Sequence, residues 1–250
     1  MKNRGYTLIE LSIVIVIISI LTGGVFVFRS WQRSSQLKAI ITEFYNYREA
    51  VTQFQETYGQ LPGDLTTASS FWPTCASPAT LCNGNGDGLI TVGGGTTQDE
   101  SIRAWQMLYL AGFISQSMSG VHTTSGQNDI GVNVPASKLV GAGWYFDKNL
   151  PSTGGGGVTT NFIVIGGFTS GYVNVGRVLT PIQALSIDTK IDDGRAISGV
   201  VRGLYVDSAS YNYGSAGTQC SLSATNTYNI LTNGNSLICA LAFMLDSNQR

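Results

Sequence analysis

Two hydrophobic patterns follow one another along the first 58 residues. From Leu8 to Phe28 the chain is apolar almost without a break, about 21 residues in which Glu10 is the only ionisable side chain. That is the length of one membrane-spanning helix. From Ile40 the pattern changes: apolar residues recur at Phe44, Tyr47, Val51, Phe54 and Tyr58, the spacing of one face of an amphipathic helix. Gly59 and Pro62 end it. A single helix from Tyr6 to Tyr58 would run about 80 Å at 1.5 Å per residue. Gly23-Gly24 interrupts the outer part of the span, each glycine weakening a helix by about 1 kcal/mol relative to alanine. The pair is a candidate for local melting or for close helix packing in a membrane.

Beyond Tyr58 the periodicity is lost. Residues 59–98 read as an irregular loop, punctuated by Gly59, Pro62, Gly63, Pro73, Pro78 and an Asn-Gly run. Thr97-x-x-Glu100 has the form of a capping box, opening a helix from Ser101 to about Ala111 that packs through Ile102, Trp105, Leu108 and Tyr109. The rest is β-like, with candidate strands Gly143–Phe146, Phe162–Ile165, Tyr172–Val175, Val200–Val206 and Leu237–Leu245. Thr180-Pro181 starts another helix through Ile191, with threonine as cap and proline in the first turn, and Asp192-Asp193-Gly194 ends it. The Gly154–Gly157 run lacks the lysine and helix of a nucleotide-binding loop. The expected fold class is α+β: a long N-terminal helix packed on an antiparallel β-sheet.

Lys2 and Arg4 precede the span, so the N-terminus should stay cytoplasmic with the bulk of the chain on the other side. A secretory signal peptide carries its small-residue cleavage site after the apolar run. Here the small residue, Gly5, lies before it, and a cut there would leave Tyr6 as the new N-terminus with Glu10 close behind. The stretch Gly5-Tyr6-Thr7-Leu8-Ile9-Glu10-Leu11 resembles the type IV pilin superfamily, which includes pilins and the pseudopilins of type II secretion and competence systems. Tyr6 stands where that family usually has phenylalanine, and the aromatic ring is kept. The resemblance implies that a prepilin peptidase cuts after Gly5 and methylates Tyr6. It further implies an inner-membrane precursor, an inner-membrane assembly platform, and self-assembly with other pilins or pseudopilins into a helical filament. A carboxylate inside a bilayer-spanning helix costs roughly 2.5–3.5 kcal/mol, and the α-amino group of Tyr6 on a neighbouring subunit is a partner for Glu10. The expected organisation is a leader at 1–5, a membrane and assembly helix at 6–30, its amphipathic continuation at 31–58, and an extracytoplasmic domain at 59–250. The expected function is a structural pilus subunit, with a type II secretion pseudopilin as the alternative and a membrane-anchored receptor or enzyme behind it.

Composition agrees with an exported domain. Only 12% of residues are charged and 31 are glycine, which suits a β-rich extracytoplasmic domain better than a cytosolic enzyme. Net charge is -1, and no basic, aromatic-rich strip offers itself to nucleic acid. The four cysteines, Cys75, Cys82, Cys220 and Cys239, suggest two disulfides. Three pairings are open. The simplest, Cys75–Cys82 and Cys220–Cys239, closes loops worth roughly 2.5 and 3.3 kcal/mol on the loop-entropy model.

One segment has metal-ligand spacing. Asn83, Asn85 and Asp87 place oxygens at alternate positions, with Gly88 at the turn and Ile90 at the apolar position, as in the first half of an EF-hand calcium loop. Gly94 stands where the closing glutamate is expected, so Asp99 or Glu100 would have to complete the site; some pseudopilins order a surface loop with calcium. Asp188, Asp192 and Asp193 read as a solvated helix end with Lys190 and Arg195 interspersed. His122 reads as a surface-loop residue, and Trp31, Trp72, Trp105 and Trp144 as core or interface anchors. No constellation argues for catalysis.

Overall fold

The computed structural model describes residues 7–76, 79–93, 99–124, 126–150, 158–174, 176–207, 210–212, 220–222 and 225–245. Side chains 24–27, 29–30, 149–150, 158, 205–207 and 210–212 lie outside that description.

The two N-terminal patterns form one helix, α1, Leu8–Tyr58. Its 51 residues run about 76 Å. The backbone is helical straight through Gly23-Gly24, and a Cβ added at Gly23 would meet nothing. The helix stops at Gly59, whose φ of 78° takes the left-handed conformation and whose N–H donates back to the Gln55 carbonyl.

Downstream, the loop predicted at 59–98 contains α2, Ala68–Phe71, and one 3₁₀ turn at Ala79–Cys82. Helix α3 is Glu100–Leu110. Its cap is Asp99 rather than Thr97, which lies outside the described residues: the Asp99 carboxylate accepts from Ser101 and Ile102 N–H. Glu100 is therefore not the acid of a capping box, and its side chain serves elsewhere. Strands β1, Ala142–Leu150, and β2, Val158–Gly167, follow. Helix α4, Pro181–Ile191, begins as expected, with Thr180 and Gln183 closing a capping box and proline in the first turn. Then come β3, Val201–Asp207, β4, Ser210–Asn212, β5, Ser221–Leu222, β6, Thr227–Tyr228, the short α5, Ile230–Asn233, and β7, Ala240–Met244. No strand forms at 172–174; Asn174 is buried where the turn meets Gly143 and Gly166. Val175 and the Gly154–Gly157 run lie outside the described residues.

The main sheet is antiparallel, in the order β1-β2-β7-β3-β4, and β5-β6 form a separate ribbon. β7 inserts between β2 and β3, pairing Ile163 with Phe243 on one side and Phe243 with Val201 on the other. Phe162, Ile163, Val164 and Ile165 in succession have no exposed area, so both faces of the sheet are covered. The amphipathic half of α1 covers part of it. Ile40, Phe44 and Phe54 are fully buried, Val51 nearly so, and Tyr47 and Tyr58 pack partly buried at the margin. Phe44 stacks on Phe243 at 4.7 Å, and Tyr47 meets Trp105 edge-on at 4.9 Å. Trp105 in turn stacks on Phe146 at 4.3 Å. Fully burying each such ring contributes roughly 1.5–3 kcal/mol. Both disulfides follow the local pairing, Cys75 with Cys82 and Cys220 with Cys239.

Candidate functional site

The chain divides α1 into two unlike surfaces. From Leu8 to Gly23 every side chain is exposed, although all but Glu10, Ser12, Ser19, Thr22 and Gly23 are large and apolar. Leu8 is 89% exposed and Ile20 69%. Apolar surface on that scale requires an apolar environment or a partner. Among the described residues no helix is long and apolar enough to cross a membrane; the expected span over Leu8–Phe28 includes side chains outside the description.

The helix start carries a local device that the sequence reading missed. The Thr7 hydroxyl accepts from Glu10 N–H, and the Glu10 carboxylate accepts from Thr7 N–H at 2.8 Å and its hydroxyl at 2.9 Å. This is a capping box, and Thr7-x-x-Glu10 was its legible signal. Gly5 and Tyr6, the expected processing site, lie outside the described residues.

Where α1 meets the domain, Glu43 collects three donors. Its carboxylate accepts from Ser137 Oγ at 2.6 Å, Lys138 N–H at 2.8 Å and Trp144 Nε1 at 2.9 Å. Higher up, Arg33 Nη2 donates to Gln183 Oε1 of α4 at 2.7 Å. The indole of Trp31 is 73% exposed, so of the four tryptophans it is not a core anchor. Trp105 and Trp144 are fully buried, and Trp72 packs partly buried.

Past the end of α1, residues 83–90 wrap around Asp64. Its carboxylate accepts from Gly86, Asp87 and Gly88 N–H at 2.6, 3.1 and 2.8 Å. Gly84 lies so close to Gly63 and Asp64 that a Cβ would sit 2.4 Å from their backbone. Glu100 reaches the same place, accepting from Asn85 N–H at 3.1 Å and Thr91 N–H at 2.9 Å. Carboxylate oxygens of Asp64, Asp87 and Glu100 fall within 4.8 Å of one another. Burial holds the Glu100 carboxyl above its ordinary value, and the Asp64 charge adds to the rise against the pull of the two amides. The predicted calcium-loop set is thus rearranged. Asp87 and Glu100 converge, but Asn83 turns away, its Oδ1 accepting from Ser69 N–H at 2.8 Å. Asn85 Oδ1 accepts from Asp87 N–H at 2.8 Å. The central acid is Asp64, 22 to 24 residues upstream of the amides it binds, which loop spacing alone could not supply. The node's carboxylates are all committed to hydrogen bonds from the chain itself, and those bonds account for the fold of the loop.

Two further titratable groups differ from expectation. His122 is not a surface residue: its side chain is 7% exposed and its Nε2 lies 2.9 Å from Asp99 Oδ2. Asp188 is not solvated: it has no exposed area, and accepts from Tyr228 Oη at 2.8 Å and Gly194 N–H at 3.1 Å. Burial raises its pKa to about 7, with the charges of Asp192 and Asp193 adding to the rise. Asp192 turns to the N–H groups of Val200 and Val201, and Asp193 faces Arg195 at the surface.

Residues 1–26 match the family described as the prokaryotic N-terminal methylation motif. No curated protein and no solved structure matches the chain.

Proposed function

We propose, on the premise that this chain carries the N-terminal signal of type IV pilins and pseudopilins, that it is a structural subunit of a type IV pilus-like filament. One observation carries the reading: a single unbroken helix has a bare apolar half, Leu8–Gly23, and a half docked on its own domain from Leu37 to Phe54. The bare half anchors the precursor in the inner membrane and then packs against the same half of other subunits. The docked half holds the domain at a set place outside. The subunit acts by packing and not by catalysis. Its partners are a prepilin peptidase, the inner-membrane assembly platform and other pilins.

Processing after Gly5 exposes the α-amino group of Tyr6. An incoming amino group competes with Thr7 for the Glu10 carboxylate, which exchanges a local cap for a contact between subunits and sets their axial stagger. The test is intact-mass analysis of membrane-extracted protein, together with assembly of Glu10→Ala. Loss of residues 1–5 with one added methyl group is expected, and the variant should be processed normally yet yield little sheared fibre. A mature protein that still begins at Met1 in a host with active prepilin peptidase would sink the reading. A pseudopilin of a type II secretion system uses the same cleavage and helix. Fibre recovered from the cell surface supports the pilus, and fibre confined to the periplasm supports the pseudopilin.

A further inference from the structure

His122, the only histidine of the chain, faces acceptors at both ring nitrogens. Nδ1 lies 2.7 Å from the Gln127 carbonyl and Nε2 lies 2.9 Å from Asp99 Oδ2. A carbonyl oxygen accepts and cannot donate, and a neutral imidazole offers only one N–H. Asp99 is already engaged as an acceptor, taking the Ser101 and Ile102 N–H groups that begin α3. Of an imidazole and a carboxylate, the imidazole is ordinarily the stronger base. Both contacts are therefore made together only by the imidazolium.

We propose that His122 is a proton-operated latch: as imidazolium it ties the 119–134 segment to the N-terminus of α3, and on losing a proton it gives up one of its two ties. Among the described residues, the segment it holds has one other hydrogen bond to α3. Gln106 Nε2 donates to the Ser119 carbonyl at 3.1 Å, and the remaining bonds are largely internal, with Asn133 Nδ2 donating to the Val121 and Gln127 carbonyls. The segment also steadies its neighbour. Gln127 Oε1 accepts from Gly171 N–H at 3.0 Å, and Asn128 N–H donates to the Tyr172 carbonyl at 3.1 Å. Exposed Val121, Val132, Phe168 and Tyr172 ride on these two segments, so the latch bears on how firmly these apolar side chains are held.

The charged groups facing the ring from the described residues are Asp99, at the start of α3, and Asp129, in its own segment; Arg103, one turn along α3, acts on Asp99. Asp129 is held by Thr123 Oγ1 and Gln127 Nε2. The hydrogen bond to Asp99 is the largest influence and raises the histidine pKa above 6.5, burial opposes it, and the Gln127 carbonyl and the two negative charges add to the rise. The sign follows. The folded segment binds the proton more tightly than the released one, so the latch is fully closed below about 6.5 and weakens as pH rises through the folded value.

The test uses the tag-free full chain in detergent micelles, with ¹⁵N- and ¹³C-labelled histidine giving a single imidazole signal. The expected result is a midpoint above 6.5, with both ring nitrogens protonated below it. Hydrogen exchange across 119–134, corrected for intrinsic rate, should lose up to about tenfold protection per pH unit from 6.5 to that midpoint and then level off. His122→Gln should show no such slope. A midpoint at or below 6.5, flat protection in the wild type, or an unchanged slope in the variant would each overturn the latch. If the variant does not fold, the wild-type titration and exchange decide.

Discussion

Asp188→Asn should stabilise the protein, and should do so only on the alkaline side of its titration. The wild-type carboxyl has no exposed area, and among the described residues it forms no ion pair. Its contacts are one hydroxyl and one amide, and its charged neighbours are Asp192 and Asp193. Folding therefore favours the protonated form. The pKa rises from 3.8 to about 7, so the stability present below about 3.8 is lost as pH climbs through 7. At about 1.4 kcal/mol for each tenfold change, the full loss is on the order of 4 kcal/mol. An asparagine carries no charge and keeps the geometry: Oδ1 can accept from Gly194 and Nδ2 can donate to the tyrosine oxygen. Thermal melting of the full chain in detergent, followed by tryptophan fluorescence from pH 4 to pH 8, measures the difference. The variant should match wild type near pH 4 and lead it by roughly 8–16 °C at pH 8, taking about 2–4 °C per kcal/mol for a domain of this size. A constant offset across the range would refute the argument, because it would mean that Asp188 folds ionised.

Two other outcomes follow from geometry already described. Glu43→Ala leaves the Trp144 indole, the Lys138 amide and the Ser137 hydroxyl without their acceptor and should cost about 2–4 kcal/mol in chemical denaturation, with Glu43→Gln recovering part of it; no change in midpoint would show that water replaces the carboxylate freely. Cys239→Ser should destabilise more than Cys75→Ser, by about 1 kcal/mol, since it opens the longer loop and lies fully buried at the entry to β7; equal losses, with the pairing checked by non-reducing peptide mapping, would contradict that order.

What could be read from the sequence was local. The 4-3-4-3-4 spacing from Ile40 to Tyr58 is an intrinsic helix signal: Ile40, Phe44, Val51 and Phe54 are buried and Tyr47 and Tyr58 lie at the margin, while α1 also buries Leu37 and Ala50, which the spacing does not mark. Thr180-Pro181 located α4 because its cap and first turn are adjacent in the chain. Cysteine pairing was legible for the same reason: the simplest loops are the short ones. The misses are long-range. Asp64 meets the amides of the 83–90 loop across 22 to 24 positions, Asp99 meets His122 across 23, and Tyr228 meets Asp188 across 40. Each is a polar group whose burial depends on what folds over it, and spacing along the chain carries no trace of that. The 172–174 stretch failed as a strand for a related reason. Its apolar residues resembled a strand, but Asn174 packs closely against Gly143 and Gly166, and among the described residues the pairing with β2 is confined to the single bridge Gly167–Gly176.

The placement of β7 has a consequence for the order of folding events under the proposed function, which requires export of the domain. Among the described residues this strand is the last in chain order, yet it is central to the sheet, with all five residues buried and a neighbour on each side. Until residues 240–244 have emerged, β2 and β3 lack the partner that joins them, and Phe44 lacks the Phe243 ring it stacks on. Pairings this distant in sequence are also the slow ones to form. The domain therefore cannot close early on a partly threaded chain. If the domain is exported as proposed, it would cross open, and Cys239, at the threshold of β7, would meet Cys220 only once β7 has followed. Biosynthetic timing is thus written into strand order: of the described strands, the one made last is the one that locks the rest.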